Sequence, residues 1–151
     1  MKNLLIAFLI LFLGCSKKET ENINVYQITL SYIGPRDALV PILILKNTKP
    51  DKNIIPIVNY QVDKEDLRKI EEISQSIERV KKGVHPLVLV EINKDNKITK
   101  YLFNKNNGVE IFNKIDKITS HYNNKDLHDD LLYLQELTKK DWYNDGKILG
   151  I

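Results

Sequence analysis

A single cysteine, Cys15, stands among 151 residues. That count excludes an intrachain disulfide and any zinc site built from several thiolates. Glycine is scarce as well: the six present are scattered and never paired, so no loop of the kind that cradles phosphates exists. Beyond Ser16 only Ser31, Ser74, Ser76 and Ser120 remain, and none lies in a Gly-x-Ser-x-Gly elbow, which leaves nucleophilic catalysis without its usual signature. Charge of one sign is missing too. Lys and Arg total 23 against 20 Asp and Glu, a net of +3 with no clustered basic stripe, which argues against a nucleic-acid partner. No apolar run is long enough to cross a bilayer: the longest, Leu4 to Leu13, has ten residues, about half of what a spanning helix needs. What the chain does have is apolar mass. Hydrophobic residues make up 42%, too many for a disordered chain and enough for one core, and the length fits a single domain.

The first fifteen residues carry the strongest signal. Met1-Lys2-Asn3 is a short, positively charged start, and the apolar run follows directly, with the proportions of a signal-peptide core. It ends in Leu11-Phe12-Leu13-Gly14-Cys15, a small residue immediately before the only cysteine. This stretch resembles bacterial lipoprotein precursors, whose lipobox is typically Leu, a small or apolar residue, Gly or Ala, then Cys. The likeness covers residues 1–15 only and departs from the commonest pattern at Phe12, where Leu is more frequent. It implies cleavage after Gly14, a thioether-linked diacylglycerol on Cys15 and acylation of the new amino group, so that the membrane becomes a partner through Cys15. Two or three chains, each methylene contributing about 0.8 kcal/mol, hold a protein stably where one does not. Ser16 after the cysteine, rather than Asp, looks like outer-membrane sorting. Residues 15–23 then read as the lipidated Cys and a tether, whose polar stretch Ser16 to Asn22 reaches roughly 25 Å fully extended.

Residues 24–151 read as one small α+β domain. Tyr26, Ile28, Leu30 and Tyr32 alternate with Gln27, Thr29 and Ser31, the period of a half-buried strand over 25–33. The apolar run Leu39 to Leu45 predicts an interior strand that Pro41 pushes towards an edge or a bulge. Ile54 to Val62 predicts a third. Asp63 as N-cap, Gly83 as stop, and a stripe of Leu67, Ile70, Ile73, Ile77 and Val80 predict a helix over 64–82. A hairpin over Leu87–Ile92 and Ile98–Phe103 should turn through Asn93 to Lys97, and two further helices are expected over 109–122 and 126–139. The order β-β-β-α-β-β-α-α points to an antiparallel sheet of about five strands covered by about three helices.

Candidates for chemistry are few. His121 and His128, with Asp129 and Asp130, would supply imidazole and carboxylate ligands to a metal if the last two helices form a tight hairpin. The same residues also suit helix ends: the aspartates favour a positive N-terminus and His121 a negative C-terminus. His85 precedes Pro86 in a loop and reads as solvated. Trp142-Tyr143 suits either a partner contact or docking of the chain's own tail. The expectation is a membrane-anchored, non-enzymatic binding module of the cell envelope with a protein partner and no cofactor, an immunity-type protein being its sharper form. The alternatives are a small envelope enzyme or metal-binding protein using His121, His128, Asp129 and Asp130, and an accessory subunit of an envelope assembly.

Overall fold

The computed structural model describes residues 25–34, 39–50, 58–81 and 85–140, with the backbone alone for 39–42. Five strands form one sheet: β1 Tyr26–Ile33, β2 Leu39–Lys46, β3 Val58–Gln61, β4 Val88–Lys94 and β5 Lys97–Phe103, in the order β3-β2-β1-β4-β5. Three helices accompany them, α1 Lys64–Ser76, α2 Lys105–Thr119 and α3 Lys125–Lys140, with a single 3-10 turn at Ser120–Tyr122 between the last two. Class and element order are those expected from the sequence. One pair departs from the antiparallel expectation: β2 and β3 run parallel, Leu43 beside Val58 and Leu45 beside Tyr60. Parallel neighbours need a connection of about a dozen residues to carry the chain back, and the stretch 47–57 supplies that length.

The register explains the core. Ile28 of the central strand faces Leu45 on one side and Ile92 on the other, and Leu30 faces Leu43 and Val90. Val88 and Val90 in turn face Phe103 and Tyr101. These side chains form one sheet face, and the helices bury Leu67, Ile70, Ile111, Phe112, Ile115, Leu127, Leu131 and Leu134 against it. The opposite face pairs polar groups, Gln27 with Asn93 and Glu91 with Lys100. Pro41 sits at the expected bulge, where the β1–β2 register skips Ile42 between Leu30 and Ser31.

Four local features differ from the expectation. First, α1 stops at Ser76, well short of residue 82. Ile77 turns extended at φ −77°, ψ 137° and still buries its side chain in the core. Ser74 and Ser76 bond back to the carbonyls of Ile70 and Ile73, a competition that weakens a helix end. Beyond it Val80 N–H donates to Leu102 C=O, and the Arg79 guanidinium lies 4.8 Å from the Tyr101 ring, so the chain trades helix for the open edge of β5. Second, α2 begins at Lys105, before Val109. Asn104 caps it by accepting from Asn107 N–H. Third, the β4–β5 turn has two residues rather than five: Asp95 and Asn96 take φ of 51° and 62°, the left-handed pair of a tight hairpin. Fourth, Glu65, whose i, i+4 spacing predicts a pair with Lys69, pairs with Arg68 instead and leaves Lys69 to Asp66.

Candidate functional site

The groups with the richest chemistry gather at one end of the helical layer, where the N-terminus of α1 meets the 3-10 turn after α2. Val62, 1% exposed, anchors the approach in the core and delivers Asp63 to the N-cap position. Asp63 takes that position through its backbone, its carbonyl accepting from Asp66 and Leu67 N–H, while its side chain makes no cap bond. One turn on, Asp66 is 5% exposed, an unusual burial for an acid, and three partners account for it. Tyr122 Oη donates to its Oδ2 at 2.8 Å, Lys69 Nζ bonds Oδ1 at 2.9 Å, and His121 Nε2 stands 3.2 Å from Oδ2. Burial alone would raise the Asp66 carboxyl. The Lys69 and Tyr122 hydrogen bonds, with the charges of Lys69 and His121, outweigh it and hold the group below its ordinary value.

Tyr122 ties the cluster together, because the hydroxyl that donates to Asp66 also accepts from Asp63 N–H at 2.8 Å. Burial first, then the Asp66 hydrogen bond and charge, push its phenol up to about 12, although the Asp63 N–H pulls the other way. The His121 ring rests on the Tyr122 ring at 4.1 Å, and its Nδ1 lies 2.9 Å from the Ile118 carbonyl. Ligand atoms of Asp63, Asp66 and His121 all fall within 4.8 Å of one another.

The residues proposed from sequence as a metal quartet are therefore not brought together among the described residues. His121 faces Asp66. His128 bonds Asp116 through Nδ1 at 2.7 Å, and Asp130 accepts from Tyr60 Oη at 2.7 Å. Asp129 is exposed and contributes a charge felt by His128 and by Tyr60. The His128–Asp116 pair lines a cavity of about 260 Å³ together with Thr119, Asn123 and Asn124, at the α2–α3 turn. His85 is half-buried rather than solvated, its Nδ1 2.7 Å from the Pro86 carbonyl. Cys15, Trp142 and Tyr143 lie outside the described residues. What sequence reasoning missed is the other half of each pair: Asp66, Asp116 and Tyr122 are not among the candidates it offers. A local hint was Asp66 itself, four residues before Ile70 and so on the buried side of the helix rather than the solvent side.

A similar tie occurs elsewhere. Tyr26 Oη donates to Glu71, which also meets Lys94 at 3.4 Å, and burial with that carboxylate drives the Tyr26 phenol far up. Among the described residues no helix is long and apolar enough to cross a membrane. No family model matches the chain, and neither a curated protein nor a solved structure matches it. The comparisons thus supply no activity, substrate class or cofactor.

Proposed function

We propose that this chain is a lipid-anchored protein of the cell envelope whose domain works by binding a protein partner rather than by catalysis. One observation carries the reading: the sequence Leu11-Phe12-Leu13-Gly14-Cys15, closing a ten-residue apolar run that follows a charged start. A cysteine placed there is the acceptor of the lipid in the precursors it resembles, and the outer membrane is the address that Ser16 suggests. The organisation of the domain supports the second half. Its buried or paired ionisable groups, Asp66, Asp116, Glu71 and Asp130, each bridge two elements, as struts do. Solvent instead meets large apolar side chains suited to a contact surface, Ile98 and Leu102 on β5 and Leu132 and Tyr133 on α3. In the sharper, immunity-type form the partner is a toxin bound tightly and one to one.

The anchor is tested by phase partitioning in a cloud-point detergent of the wild type and of Cys15→Ser, each expressed with its full leader. The wild type should enter the detergent phase carrying acyl chains visible by mass spectrometry, and C15S should stay aqueous. Equal partitioning of the two would overturn the reading.

A further inference from the structure

We infer that Asp63, Asp66 and His121 form a binding site for one first-row divalent metal ion of the Zn2+ class at the junction of α1 and the 3-10 turn. A carbonyl oxygen can only accept, so the contact of His121 Nδ1 with the Ile118 carbonyl at 2.9 Å puts a proton on Nδ1. Nε2, aimed at Asp66 Oδ2 from 3.2 Å, is then either a bare lone pair facing a carboxylate or the seat of a cation between them. Two acceptors do not approach so closely without one. The cation is a second ring proton or a metal ion. The spacing suits a metal, because two ligands of a tetrahedral ion with bonds of about 2.0 Å stand about 3.3 Å apart.

The surroundings also suit a metal. Ligating imidazoles characteristically donate their other N–H to a carbonyl, and ligating carboxylates are themselves held by hydrogen bonds. His121 does the first with Ile118, and Asp66 is held by Tyr122. The third ligand would come from Asp63, whose carboxylate forgoes the cap bond its position offers, lies within 4.8 Å of the other two ligand atoms, and draws in by side-chain rotation to the spacing of about 3.3 Å that a bound ion sets. Nitrogen and carboxylate oxygen without thiolate is the donor set of borderline cations. The His121 side chain is 54% exposed, so an ion can enter from solvent and keep water in its open positions. Lys69 opposes the ion, but its side chain is 47% exposed and is free to swing away from Asp66. The site stands whether or not Cys15 carries a lipid.

The test uses the full chain in mild detergent, titrated with Zn2+ by calorimetry and with Co2+ by visible absorption, for the wild type, Asp63→Asn and His121→Asn. One ion per chain should bind, with a Co2+ spectrum of low coordination number. Each variant should weaken Zn2+ by at least about tenfold while keeping the wild-type far-UV circular dichroism. Absence of saturable one-to-one binding by the wild type, or a loss smaller than about tenfold in either folded variant, overturns the site and leaves a proton as the bridging cation. Because the Asp63 side chain makes no cap bond, D63N decides the question alone if H121N fails to fold.

Discussion

A tyrosine hydroxyl that donates to one aspartate and accepts from the backbone of another does more than fill space. Tyr122 Oη satisfies Asp66, buried at 5% exposure, and receives Asp63 N–H, so it fastens the end of α2 to the start of α1. Removing the hydroxyl leaves a buried carboxylate one donor short, and a bond to a charged group contributes about 1.5–3 kcal/mol. Tyr122→Phe should therefore lower the unfolding free energy by about 2 kcal/mol, read as the urea midpoint at constant slope; a loss under about 0.5 kcal/mol would show that the bond is idle. His128 gives the complementary case of a group whose effect depends on pH. Its hydrogen bond to Asp116 and that carboxylate's charge raise its pKa above 6.5, with Asp129 adding to the shift. A raised pKa in the fold means that the stabilisation is complete below the unfolded value, about 6.5, and fades as pH climbs through the folded one. The urea midpoint of wild type should exceed that of Asp116→Asn at about pH 5.5, and the gap should shrink by about pH 8.5. A gap that is constant or widens upward contradicts the pairing. His128 was visible in the sequence as a candidate, but its partner lies twelve residues back across the α2–α3 turn, and Asp66 meets Tyr122 across 56 residues. No spacing rule reaches that far, because tertiary packing and not helical periodicity sets those contacts.

Elements were legible where a period survived along their length. The stripe Phe112, Ile115 and Ile118 and the stripe Leu127, Leu131 and Leu134 repeat every three or four residues, and they lie in the core or against it. Ends were legible only where a cap stood alone. Lys105-Asn106-Asn107-Gly108 has the composition of a turn, yet it is the first turn of α2, because Asn104 caps it and because Gly108 lets the helix sit against β4. A Cβ at Gly108 would stand 2.6 Å from Val88 Cγ2, a β-branched and fully buried neighbour with little room to move. Gly108→Ala would ordinarily gain about 1 kcal/mol of helix propensity. Overpacking at this contact costs about 1–3 kcal/mol, so the net effect should be destabilising by up to about 2 kcal/mol. Thermal melting of G108A beside an exposed control such as Asn113→Ala in the same helix checks this. A melting point raised in both would mean that α2 and β4 part easily. The premature end of α1 follows the same logic in reverse. The stripe continued through Val80, but Val80 N–H found a carbonyl on β5 instead of one in the helix.

At the scale of the whole molecule, one core spans the chain from Tyr26 on the central strand to Leu134 on the last helix, and every strand and helix supplies part of it or packs on it. Neither the parallel β2–β3 pair nor the placing of β4 beside β1 was contained in the residue patterns, since alternation reports which face is buried and not which strand lies alongside or which way it runs. Tyr60, beside Leu45 on β2, reaches across to Asp130 on α3 and so ties the outermost strand to the last helix. A chain built this way has no element that can leave alone. Leu131, fully buried on α3, tests that directly. Truncating a buried leucine to alanine costs about 2–5 kcal/mol. In a single cooperative unit Leu131→Ala should move the helical signal in the far ultraviolet and the tyrosine signal in the near ultraviolet to the same lower urea midpoint. The tyrosines make this a probe of the sheet, because Tyr26, Tyr32, Tyr60 and Tyr101 lie on three of its five strands while Tyr122 and Tyr133 report the helical side. If the far-ultraviolet transition alone moved, with the tyrosine transition left in place, the α2–α3 hairpin would be a separable layer and not half of one core.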